Sequence, residues 1–146
     1  MGTSPEGLLH YAKEFMDAAN VVADESVMAS HTLIGHSIEL GLKAFLLAKG
    51  IPMEQLKFKP YGHDLGYMLD AADALDLNSY VEFAADHRTA IGVLNDVYST
   101  HGFRYYEPNT VPVPEWKTVN DVADRLVQRL REITQEASRT WNQEPA

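Results

Sequence analysis

Behind Ser4-Pro5-Glu6, the apolar residues Leu8, Ala12, Phe15, Ala19 and Val22 recur at three- and four-residue steps. Serine suits an N-cap, and proline suits the first helical position because its missing N–H would have no intrahelical partner there. The spacing predicts a first helix over about residues 5–24. A second helix covers about residues 26–49 and stops at Gly50, with Pro52 blocking continuation. The run IPMEQLKFKPYG, residues 51–62, has two prolines and no sustained period, so it reads as a connecting loop with room for one short turn. Leu65, Met68, Leu69, Ala72 and Leu75 mark a third helix from near His63 to about Asp76. Ser79-Tyr80-Val81-Glu82 has capping-box spacing and opens a fourth helix ending near Tyr98. Residues 99–116 hold Pro108, Pro112 and Pro114, which excludes a helix interior. A final helix opens at Thr118, buries Val119, Val122, Leu126, Leu130, Ile133 and Ala137, and turns Arg125, Arg129, Glu132 and Glu136 outward, with fraying beyond Trp141.

No pair of alternating segments with hairpin chemistry occurs, and the one β-like piece, Val111-Pro-Val-Pro, has prolines that would interrupt a ladder. The fold class is therefore all-α. Four to five helices with mostly short connections predict an up-and-down antiparallel bundle, one domain over residues 1–146, in which the second helix, apolar on most sides, sits centrally. Tyr11, Met16, Val21, Val81, Ile91 and Val97 exceed what one face of the first and fourth helices needs, which predicts an apolar interaction surface there.

Composition narrows the function. The chain has no cysteine, so thiolate metal sites, iron–sulfur clusters, disulfides and a cysteine nucleophile are excluded, and a reducing, cytoplasmic setting is expected. The longest apolar stretch, residues 42–48 interrupted by Lys43, is far shorter than the roughly 20 residues of a membrane span. No basic residue near the start introduces a secretion signal. A formal charge of −9 and no basic cluster longer than Lys57-Phe58-Lys59 argue against binding duplex DNA.

One stripe carries candidate chemistry. At about 100° per residue, His36, Glu39 and Lys43 share a narrow sector of the second helix, flanked by leucines. Glu39 and Lys43 are spaced i,i+4 with the acid first, the favourable order. A desolvated pair needs further hydrogen-bond partners, and His63, Asp64, Arg104, Tyr105 and Tyr106 are the candidates. Two readings follow: a structural network that holds two loops onto the second helix, or a pocket in which Lys43, His63 and Arg104 face an anion.

Three motifs, Glu39-Leu-Gly-Leu-Lys43-Ala-Phe-Leu-Leu-Ala-Lys-Gly50, Gly62-His63-Asp64-Leu65 and Arg104-Tyr105, in this order and at these distances, resemble the HEPN superfamily, the nucleotide-binding domains of higher eukaryotes and prokaryotes. The resemblance implies a four- or five-helix bundle, commonly a homodimer, often paired with a minimal nucleotidyltransferase in toxin–antitoxin or defence systems. It also implies a polar binding cluster of Glu39, Lys43, His63, Arg104 and Tyr105. Ribonuclease members carry an arginine followed after four to six residues by histidine. Here the next histidine after Arg88 is His101, and none follows Arg104, so RNA cleavage is not carried over and no catalytic residue is assigned.

Other chemistries fail on spacing. A bundle di-iron site needs Glu-x-x-His twice, and none occurs; His36-Ser-Ile-Glu39 is reversed, so no metal and no cofactor are expected. Neither a Gly-x-Ser-x-Gly elbow nor a phosphate-binding glycine loop is found. His10 and the His87-Arg88 pair stand alone and receive no role. Phe103-Arg104-Tyr105-Tyr106 suits either stacking on a base or pinning a loop. Two functions remain: a helical interaction module, homodimeric and acting with a nucleotidyltransferase-type partner, or a nucleotide- or small-anion-binding module built on Glu39, Lys43, His63 and Arg104.

Overall fold

The computed structural model describes residues 3–99 and 112–141. Its helices are α1 (Pro5–Val22), α2 (Val27–Ala48), the short α3 (Met53–Leu56), α4 (Leu65–Ala74), α5 (Ala85–Tyr98), α6 (Trp116–Arg129) and α7 (Arg131–Arg139), with a 3₁₀ turn at Leu77–Ser79. No strand occurs among the described residues. No helix among them is long and apolar enough to cross a membrane.

Local chemistry sets the boundaries. The Ser4 and Ser26 hydroxyls accept from the Gly7 and Ala29 amides, each at 3.0 Å, and start α1 and α2. Gly50 ends α2 at a φ of 102°, where a side chain would be strained. The Asp64 carboxylate caps α4 by accepting from the Tyr67 amide at 3.0 Å.

α2 is the axis of the molecule. α1, α4, α5, α6 and α7 all pack on it, and Ile34, Ile38, Leu42, Phe45 and Leu46 are completely buried. Each such side chain contributes about 1.5–3 kcal/mol through removal from water. Two glycines let neighbours approach this axis. A Cβ on Gly35 would lie 2.4 Å from the Tyr98 ring of α5, and one on Gly41 would lie 3.2 Å from Leu126 of α6.

Three sequence expectations are corrected. The fourth helix does not begin at Ser79, which closes a 3₁₀ turn with its hydroxyl donating to Asp76 at 2.7 Å, and Val81, 2% exposed, is drawn into the core by the non-helical segment that follows. α5 starts at Ala85, and only the return half of a capping box is present, the Ala84 N–H donating to His87 Nδ1 at 3.0 Å. The final helix breaks at Leu130, where Thr134 Oγ1 donates to the Leu130 and Arg131 carbonyls at 2.8 and 3.0 Å; such back-bonding bends helices. The third correction concerns the apolar surplus. Met16, Val81, Ile91 and Val97 are buried, leaving Tyr11 and Val21, both on α1, exposed.

Two glycine substitutions test the packing. Gly35→Ala drives a methyl into the Tyr98 ring and is expected to cost about 1–3 kcal/mol. Gly92→Ala, inside α5 with nothing near its would-be Cβ, is expected to stabilise by about 0.5–1 kcal/mol. Urea midpoints moving in opposite directions would bear out both; a neutral Gly35→Ala would refute the close approach.

Candidate functional site

The stripe predicted on the second helix is a buried network centred on Glu39. Glu39 and Lys43 lie one turn apart on α2, each 5% exposed, with Lys43 Nζ donating to Glu39 Oε2 at 2.9 Å. Glu39 Oε1 accepts from His63 Nδ1 at 2.7 Å and from the Tyr98 hydroxyl at 2.8 Å. One carboxylate thus ties together α2, the loop before α4 and the end of α5.

The loop is shaped to deliver His63. Gly62 takes a φ of 45°, and the Asp64 amide donates back to the Tyr61 carbonyl at 2.8 Å. Asn95 of α5 then grips the start of α4. Its Oδ1 accepts from the Leu65 amide at 2.8 Å, and its Nδ2 donates to Asp64 Oδ1 at 2.9 Å.

Proton positions follow from donor counting. Burial alone would raise the Glu39 pKa, but the Lys43 charge and the hydrogen bonds from His63, Lys43 and Tyr98 outweigh it and hold Glu39 below its ordinary value. Burial, reinforced by the Glu39 charge and hydrogen bond, pushes the Tyr98 phenol far above its ordinary value, so it keeps its proton. That one proton goes to the carboxylate. His36 Nδ1, 2.8 Å from the same hydroxyl, therefore donates to the phenol oxygen. The His36 ring packs 5.3 Å from both Phe15 and Tyr98.

The structure brings Glu39, Lys43 and His63 together, while Arg104 and Tyr105, with Tyr106, lie outside the described residues. Lys43 does not face an open pocket, since its ammonium is buried against Glu39. His63 differs, with its side chain 44% exposed. It borders a groove of about 520 Å³ lined also by Lys59, Tyr61, Gly62, Asp64 and Ser99. Tyr98 and Asn95 were missed because each looks like an ordinary helix position. The legible trace was Gly35, a mid-helix glycine one turn before Glu39, which signals close approach of another element.

A second cluster corrects the view that His87 and Arg88 stand alone. His87, 7% exposed, accepts the Ala84 amide proton at Nδ1, so its own proton sits on Nε2, which donates to Asp121 Oδ2 of α6 at 2.7 Å. Arg125 Nε reaches the same oxygen at 2.9 Å. Desolvation would raise Asp121, but the hydrogen bonds from His87 and Arg125 and the Arg125 charge hold it below its ordinary value. Arg88 makes a two-pronged pair with Asp73 at 2.8 and 3.1 Å. Both His87 nitrogens are occupied, so this cluster fastens α5 to α6 and has no base to offer. Among the described residues no group of three or more histidine and acidic side chains is placed to hold a metal ion.

The chain matches no protein-family model, no curated protein and no solved structure.

Breaking the network is costly. Lys43→Ala strands a buried carboxylate and is expected to lose about 3–5 kcal/mol. Tyr98→Phe removes one donor of three and is expected to lose about 1–3 kcal/mol. Denaturant unfolding that left either variant at wild-type stability would refute the network. The pH dependence has a definite sign. Because the folded Glu39 pKa is lowered, its contribution is complete above the unfolded value of about 4.3 and is lost as pH falls through the folded value. Stability measured from pH 6 downward should therefore fall more steeply in the wild type than in Glu39→Gln.

Proposed function

We propose that this chain is a HEPN-like helical interaction module, homodimeric, that acts by binding a protein partner of nucleotidyltransferase type in a toxin–antitoxin or defence-like system. The observation that carries this reading is the mutual satisfaction of Glu39 and Lys43 inside the bundle. A lysine that served an anion would present its ammonium to an open site; this one is enclosed and already paired. The stripe thereby acts as internal scaffolding, and recognition falls to the surface. The partner class and the defence setting rest on the motif resemblance alone, and the motif spacing gives the module no ribonuclease chemistry.

A second reading, binding of a nucleotide or small anion by Glu39, Lys43, His63 and Arg104, is favoured by one observation. His63 is half-exposed on a groove that also carries Lys59. The groove volume is within the roughly 300–1,000 Å³ typical of ligand pockets.

A thermal-shift screen separates the two. A ligand that binds only the folded state stabilises it by RT ln(1 + [L]/Kd), about 2.7 kcal/mol at 100 Kd. Under the interaction-module reading, mono-, di- and triphosphate nucleotides, short RNAs and simple anions leave the melting point unchanged. A purified nucleotidyltransferase-type protein, encoded beside this chain, raises it. A reproducible shift with one nucleotide class, lost in folded Lys59→Ala and Arg104→Ala variants, would replace the first reading with the second.

A further inference from the structure

Most cations among the described residues are already balanced. Lys13, Lys43, Arg88, Arg125 and Arg139 each pair with a carboxylate, and Lys49 lies over the Phe45 and Tyr80 rings. Lys117, Arg129 and Arg131 make no ion pair but share their grooves with carboxylates, Lys117 with Glu115 and Asp124, the two arginines with Glu132 and Glu136. Lys57 and Lys59, in the connection between α3 and α4, differ. Both are exposed and neither forms an ion pair among the described residues. The one carboxylate in the groove that Lys59 lines, Asp64, is committed to the Tyr67 amide and to Asn95.

Between the two lysines stands Phe58, at 67% the most exposed aromatic side chain among the described residues. Backbone bonds fix its place. The Phe58 amide donates to the Gln55 carbonyl at 3.3 Å, and the Phe58 carbonyl accepts from the Gly62 amide at 3.1 Å, closing one turn over residues 58–62. That turn runs into the groove of about 520 Å³, whose lining includes Pro60 and Tyr61. Tyr61 meets Tyr67, itself 42% exposed, edge to face at 5.1 Å. A loop already held by its own backbone thus offers two cations, an outward aromatic and a concave apolar wall, and leaves a ligand little ordering to impose.

We infer that the Lys57-Phe58-Lys59 turn and the groove beside it dock an acidic segment of a protein partner, one in which carboxylates flank a bulky apolar side chain. The carboxylates meet the two lysines, and the apolar side chain lies against Phe58 at the mouth of the groove. The occupant follows from charge and shape. A chain carrying a formal −9 repels an extended polyanion, whether nucleic acid or an anionic bilayer, over its whole surface. A short acidic segment feels chiefly the field within about 8 Å of the lysines at physiological salt. A flat bilayer would also leave the groove unfilled, whereas a single apolar side chain has a concave wall to enter. This inference rests on the interaction-module reading and gives that module's partner a chemistry and a point of contact.

Fluorescence anisotropy on the full chain tests it, the probe being a fluorescein-labelled peptide with one tryptophan between two short runs of glutamate. Saturable binding is expected, weaker as salt rises. Affinity should fall at least about tenfold when Lys57→Gln and Lys59→Gln are combined, and at least about tenfold in Phe58→Ser. All three positions are exposed, so each variant should keep the wild-type melting point. Lys117→Gln removes another exposed, unpaired lysine and should leave binding unchanged. Probes with alanine for tryptophan, or with glutamines for glutamates, should bind at least about tenfold more weakly. A wild type that ignores the probe, variants that bind it as tightly as wild type, or binding to phosphatidylserine vesicles in its place overturns the assignment. The module reading is judged separately. If the nucleotidyltransferase-type protein still raises the melting point of wild type and of the combined lysine variant, that reading stands on another face; if it raises neither, both fall.

Discussion

An ionised carboxylate in the core of a helical bundle is a demand that must be met from several directions at once, and Glu39 is that demand here. Three donors reach it, an ammonium from its own helix, an imidazole from the loop before α4 and a phenol from the end of α5. Removing any one leaves charge or lone pairs without a partner at low dielectric, whereas an apolar residue at this position would ask nothing of its neighbours. The arrangement gains little raw stability for what it costs to desolvate. What it does set is register: α4, α5 and the loop between α3 and α4 can satisfy Glu39 in only one relative placement.

Other features follow from that placement. Tyr98 can reach the carboxylate only because residue 35 has no side chain to keep its ring off α2. His63 can reach it only because Gly62 turns the chain back and Asn95 holds the first turn of α4. Donor counting then runs outward from the buried charge. The phenol gives its single proton to Glu39, so His36 must give one to the phenol. A different count at His87, where a backbone amide occupies Nδ1, places that ring's proton on the side of Asp121. Two histidines on neighbouring helices thus donate from opposite nitrogens, His36 from Nδ1 and His87 from Nε2, each dictated by its partner and neither by its sequence neighbourhood.

Much of the helical frame was legible in the sequence because it depends on short-range rules. Ser4, Ser26 and Gly50 cap or stop helices through bonds within four residues, and their α1 and α2 boundaries agree with the structure to within two residues. The misplaced start of α5 has the opposite cause. Ser79 had the spacing of a cap, but the chain there closes a 3₁₀ turn, and the burial of Val81 is a tertiary gain that no local pattern reports. In the same way, Glu39, Lys43 and His63 were readable as polar residues in apolar surroundings. Tyr98 and Asn95 were not, because an aromatic or an amide at a helix position reveals its partner only once the helices are assembled. The seeming surplus of apolar residues on the fourth helix had a related origin: α5 is buried on more of its circumference than one face of a regular bundle would be.

His36 belongs to two structures at once. On its inner side it completes the chain of bonds leading to Glu39, and on its outer side it is half-buried beside the Phe15 ring of α1. Its ring orientation is fixed from within, by Tyr98 and Phe15. The bonds that satisfy Glu39 thus extend, through the Tyr98 hydroxyl, to a ring at the edge of the bundle. A carboxylate buried for register thus has a second effect, fixing the orientation of a half-buried histidine through the phenol between them.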